Sequence, residues 1–174
     1  MTKELLKQAT DSYIENVKKE IEEMGGMYPH LVLFGTHKSN PDVPGIIHVP
    51  VNNEFMADGT SKDVFVEVVI PDVAEEVKKG FDIEAVAWAS EAWLQNAKDK
   101  NERKECFVIH FEYSDKTHMI MHEMIRTGKK VNEKGELIDI IDLVPIDDLL
   151  VDKISKSEKH QSEGRFSNLL RHFV

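Results

Sequence analysis

The chain is 174 residues long, 41% hydrophobic and 31% charged, with a formal net charge of −10 and a single cysteine. These totals suit one folded domain with a sizeable core; they exclude an intrachain disulfide and a multi-cysteine zinc site, and they set an acidic surface against phosphate backbones. The opening MTKELLKQATDSYIENVKKEIEEMGG is charged throughout, so it reads as neither a signal peptide nor an anchor, and no other run approaches the length of a membrane-spanning helix. The expectation is a cytoplasmic, acidic protein with no membrane partner.

Residues 2–24 read as an amphipathic helix. Leu5, Ala9, Tyr13, Val17, Ile21 and Met24 recur at helical spacing, and Gly25-Gly26 stops it. His30 to Gly35 is a short buried strand, followed by a turn-rich loop, THKSNPDVPG. Ile46 to Val51 is a second strand, placed at an edge or ended there by Pro50. Residues 62–79 read as a covering helix, broken or kinked near Pro71 and ended by Gly80.

A strand then runs from Ile83 to Trp93. Strict alternation puts Ile83, Ala85, Ala87, Ala89, Glu91 and Trp93 on one face, and Val86, Trp88, Ala92 and Leu94 on the other. Glu105 to Tyr113 and His118 to Arg126 form a hairpin. A two-residue loop at Asp115-Lys116 sets Glu105 against Arg126, Phe107 against Met124 and Ile109 against His122. Leu137 to Val144 is a last strand, and Asp147 caps a short helix after it.

The expected architecture is α+β: an N-terminal helix, a largely antiparallel sheet of about five strands, and a second covering helix. Residues 1–151 form the single domain and residues 152–174 a polar tail. In that tail Phe166, Leu169, Leu170 and Phe173 fall on one face of a short amphipathic helix, which docks on a folded surface while the linker from Ser155 to Gly164 stays mobile.

Glu91 ends an apolar face with a carboxylate, which needs a cation or several donors. An antiparallel neighbour brings Arg103 back beside Trp93, so a Glu91–Arg103 pair is expected to lock the register. Glu91, Trp93, Arg103, Glu105 and Arg126 are thus structural anchor candidates, and no catalytic residue is assigned. His118 and His122 lie four apart on a strand, about 13 Å, too far to share a metal ion. HMIMHEMIR lacks the order of a zincin helix, since its Glu follows the second His. His110 and Glu112 share a strand face with Cys106, which reads as a buried inert thiol. His110, His118 and His122 are the histidines to consider for a metal, but no metal or other cofactor is expected. Asp139, Asp142, Asp147, Asp148 and Asp152 fit no calcium loop. The signatures of the common nucleotide-binding and hydrolase folds are absent.

The strand end Ser90-Glu91-Ala92-Trp93, the polar loop after it and the strand start Arg103-Lys104-Glu105 resemble a pattern in a family of uncharacterised bacterial and phage proteins. The resemblance covers about residues 81–112, although this loop lacks the prolines of its counterparts. It implies an α+β fold and carries no catalytic role. The functional expectation is a non-enzymatic accessory protein of phage or prokaryotic origin that binds a protein partner or itself, as a homodimer through the N-terminal helix or the Pro50 strand. The alternative is a small metal-dependent or carboxylate/histidine hydrolase using Glu91 with His110, His118 or His122. Nucleic-acid binding would need Lys153, Lys156, Lys159, Arg165 and Arg171 to act together, and the net charge opposes it.

Overall fold

The computed structural model describes residues 2–95, 103–113, 116–146, 166 and 168–174. Helix α1 spans Lys3–Met24. Strands β1 (His30–His37) and β2 (Asn40–Pro50) follow, then α2 (Gly59–Val64), a π turn over Phe65–Val69 and α3 (Ile70–Lys78). Strands β3 (Phe81–Gln95), β4 (Arg103–Tyr113), β5 (Thr117–Val131) and β6 (Leu137–Pro145) complete the sheet, and a short 3-10 helix covers Leu169–His172. The six strands lie in the order β2-β1-β3-β4-β5-β6, and every neighbouring pair is antiparallel. Among the described residues no helix is long and apolar enough to cross a membrane.

Helix α1 forms where the spacing and caps direct it. The Thr2 hydroxyl accepts the Leu5 N–H at 3.2 Å, and Gly25 ends the helix in the left-handed region at φ +70°. A Cβ on Gly25 would also lie 2.7 Å from the Asp139 backbone nitrogen of β6. The buried stripe of Tyr13, Val17 and Ile21 packs on Val32, Phe34, Ala85, Ala87, Ala89, Phe107, Ile109 and Phe111. The alanines of β3 let the helix approach closely. Because α1 commits this stripe to its own sheet, it does not offer the apolar surface expected for pairing with a second copy.

The opposite face is covered in pieces. Phe65, Val66, Ile70 and Ala74 from the helical segment, and Leu169, Leu170 and Phe173 from the C-terminal segment, close over Leu31, Leu33, Val86 and Trp88. The helical segment runs without a break from Gly59 to Lys78, and its irregularity takes the form of the π turn ahead of Pro71. Pro71 has no N–H to give, and a widened turn accommodates it.

Four local readings are corrected. Residues 36–45 are not a loop: β1 continues to His37, and β2 begins at Asn40 after a two-residue turn. The prolines of β2 are tolerated because β2 is an edge strand, with a neighbour on one side only. Ile83 belongs with Val86 and Trp88 and not with Ala85, because a bulge between Phe34 and Gly35 inserts one residue into the β3 side. Gly35 sits in that bulge where a Cβ would meet the Asp82 carbonyl oxygen. The β4–β5 ladder closes one step earlier than expected, with Glu112 opposite Thr117 and the Tyr113 N–H bonded to the Lys116 carbonyl at 2.8 Å. The register therefore slips by two, pairing Phe107 with His122 and Ile109 with Ile120. An even slip keeps every side chain on its expected face. Last, Leu169–His172 is a 3-10 turn where an α-helix was expected. The short helix after Asp147 and the linker from Ser155 to Gly164 lie outside the described residues.

Candidate functional site

Two of the anchor candidates, Arg126 and Glu105, meet at the end of α1. The Arg126 guanidinium grips both oxygens of Glu105, binds Asp139 on β6, and donates to the Gly25 carbonyl at 3.3 Å. Arg126 and Glu105 meet diagonally across β5 and β4, since the ladder sets Phe107 against His122. Lys129 adds a second cation to Asp139 at 2.8 Å. The Glu105 hydrogen bonds, with Asp139 behind them, hold the Arg126 guanidinium well above its usual range, and Lys129 followed by Arg126 holds the Asp139 carboxyl below its own. One planar fork thus ties two strands to the helix end.

Glu91 belongs to the same neighbourhood through another partner. Its Oε1 accepts the Met27 N–H at 2.8 Å. The ladder sets Glu91 opposite Phe107 and Arg103 opposite Gln95, so the expected Glu91–Arg103 pair does not form. The polar loop is entered two residues later than the Arg103–Trp93 alignment assumed. Trp93 faces Glu105 and is 67% exposed. It anchors nothing in the core.

A polar cluster at the β1–β2 end is absent from the sequence reading. Tyr13 and Glu20 of α1 lie near His30 of β1 and His48 of β2, with the His30 Nε2 3.1 Å from Glu20 and the Tyr13 ring 6.3 Å from that of His48. Burial pushes the Tyr13 phenol up, helped by the Glu20 charge. Burial alone would raise the Glu20 carboxyl, but the hydrogen bond and charge of His30 and the Tyr28 N–H bring it below its ordinary value. A shallow groove of about 290 Å³ opens beside the cluster, lined by Tyr28, Pro29, His30, His48 and Pro50. Tyr13 and Glu20 are two helical turns apart, the one signal for this cluster in the sequence.

The remaining histidines are dispersed. His122 is 8% exposed on the α1 face and stacks on Phe107 at 4.8 Å. Burial lowers its imidazole, and Lys18 adds to the effect. His118 lies two repeats of the pleat away on the same strand face, exposed. His110 and Glu112 lie on the other face, with the His110 Nδ1 3.7 Å from the carboxylate. Glu112 is 3% exposed and accepts the Leu170 N–H at 2.8 Å. Burial lowers His110 against the opposing pull of Glu112.

Cys106 is buried and donates to the Ala92 carbonyl at 3.4 Å, and burial raises its thiol. It is not a poised nucleophile. Among the described residues no three His, Cys, Asp or Glu side chains are grouped to hold a metal ion. Comparison with family models, with curated proteins and with solved structures yields no match.

Proposed function

We propose that this chain is a non-enzymatic protein-binding module that associates with a second copy of itself through the β6 edge. The observation that carries the reading is the contrast between the two ends of the sheet. β2 closes one end with Pro41, Pro44 and Pro50, which cannot donate to a new ladder. β6 is the other end and holds LIDIIDLVP, free of proline until its last residue. Its flanks carry exposed apolar side chains, Leu137 at 66% and Val144 at 43%.

Two β6 strands paired antiparallel about Ile141 set Asp139 against Leu143 of the partner subunit and Asp142 against Ile140 of the partner subunit. No two carboxylates then face each other. The dispersal of Glu91, His110, His118 and His122 over two faces favours binding over the hydrolase alternative.

The test is the mass of the full-length protein in solution, by light scattering. A dimer is expected for the parent chain. Ile140→Asp sets a carboxylate against Asp142 in both halves and should return a monomer, while Ile140→Lys sets opposite charges together and should keep or tighten the dimer. A parent that stays monomeric at high micromolar concentration overturns the reading. A dimer indifferent to both substitutions overturns the β6 assignment.

A further inference from the structure

The C-terminal segment sits on the sheet as a bound peptide would. Phe166 stacks on Trp88 with ring centroids 4.0 Å apart and planes at 6°. Leu169, Leu170 and Phe173 are buried among Phe65, Ile70 and Ala74 from the helices and the floor formed by β1 and β3. The polar contacts are directed at the main chain of the segment. Glu112 accepts the Leu170 N–H, the His110 ring binds the backbone of Phe166, and the Lys78 ammonium donates to the Val174 carbonyl oxygen at 3.0 Å.

The cap of the 3-10 turn is the telling detail. The first N–H groups of a helical turn have no partner within it and are usually met by the side chain just before. Here that residue, Asn168, is left-handed at φ 59° and makes no side-chain cap bond. A carboxylate on the sheet, Glu112, supplies the cap instead. Apolar packing alone would not call for a carboxylate that is 3% exposed. Once the groove empties, that carboxylate loses its backbone donor and keeps only the His110 ring beside it. The groove therefore favours being filled by any segment that presents the same four apolar side chains around a free N–H.

We infer that this groove is a peptide-binding site and that its second occupant is the C-terminal segment of another copy of this chain. Exchange of an identical element preserves every contact, so the segment can leave its own groove for another without a new interface. The inference is independent of β6 pairing and holds for a protein that is monomeric at rest.

The test uses the full-length chain. Trp93→Phe leaves Trp88, against which Phe166 stacks, as the only tryptophan and the reporter. In that background Leu170→Asp with Phe173→Asp vacates the groove. Added synthetic peptide RFSNLLRHFV should shift the Trp88 emission saturably, one peptide per chain. Glu112→Leu should weaken it roughly tenfold or more, and Glu112→Gln, which keeps an acceptor oxygen, should weaken it less. A folded, vacated chain that shows no saturable shift overturns the inference. If the vacated chain does not fold, amide exchange in the unaltered protein decides. Faster exchange at Leu170 in excess of a peptide carrying Leu170→Asp, with none in excess of the native peptide, points to a non-specific effect and overturns the inference. Displacement of the resident segment by the native peptide alone, read as isotopically distinct peptide bound to the full-length chain, supports it; no bound peptide overturns it.

Discussion

The two faces of the sheet are covered by opposite means. One carries a single long helix, continuous in sequence and capped at both ends, whose grip is completed by the Arg126 fork and by Glu91. The other is assembled from an irregular helical segment and a C-terminal segment remote in sequence, joined by an aromatic stack and a carboxylate beneath. A cover that is one element can leave only with the fold, whereas a cover in pieces can open piece by piece.

The sharpest test of that difference compares core truncations. Phe107→Ala, on the α1 face, should lower global stability by about 3–5 kcal/mol. Leu170→Ala, on the pieced face, should lose about 2 kcal/mol or less, because undocking of the segment caps the loss. Denaturant midpoints check the first, and amide exchange confined to residues 169–174 checks the second. Equal global losses would break the contrast.

The next effect is at the helix end. Arg126→Met should destabilise by about 1–2 kcal/mol, with solvent screening holding the figure down. Arg126→Lys should recover little, since one ammonium cannot reach Glu105, Asp139 and the Gly25 carbonyl together. A lysine variant that melts like the parent would reduce the fork to a single ion pair.

Glu91 comes lower in the order. A stranded cation would have made Glu91→Leu costly, but its partner is a backbone N–H, so the loss should be about 1 kcal/mol. Glu91→Gln should lose less, because an amide oxygen still accepts. Thermal melts of the two variants separate these outcomes.

The smallest effect is on the pH dependence. His122 is held neutral by burial, with Lys18 of α1 adding to this and Glu15 of α1 opposing it. Its folded value lies below its unfolded one, so the unfolded chain binds more protons as pH falls below about 6.5. Stability should therefore decline from neutral toward acid pH, and His122→Phe should flatten part of that decline while keeping the stack on Phe107. His110 is lowered in the same sense and leaves part of the slope in place. Urea midpoints at about pH 7 and about pH 5 measure the difference. An unchanged slope would remove His122 from the account.

What the sequence made legible follows the range of the interactions. Thr2, the helical stripe and Gly25 are local, and α1 could be read to within a residue. Glu105 and Arg126 could be paired as opposite charges on adjoining strands. The charge pattern alone could not separate a direct pair from a diagonal one, and the register was misread by two. Pro41 and Pro44 looked like loop residues because nothing local says that a strand will lie at an edge. The Phe34–Gly35 bulge left no mark in the alternation of β3 and moved Ile83 to the other face. Glu112 and Glu91 were hardest, since each is answered by a backbone N–H, which every residue but proline possesses and no side chain advertises.

The strand order also sets a schedule for folding. β3 to β6 form a meander in which each strand pairs with the next, so its ladders close over short loops. Joining β1 to β3 must instead close the loop that contains β2, α2 and α3. The transition state should accordingly hold the β4–β5 hairpin nearly formed, with the β1–β3 seam still open. Ile109→Val should slow folding, while Val32→Ala should mainly hasten unfolding. On that schedule the meander should form first, and the seam that joins β1 and β2 to it should be the last part of the sheet to close.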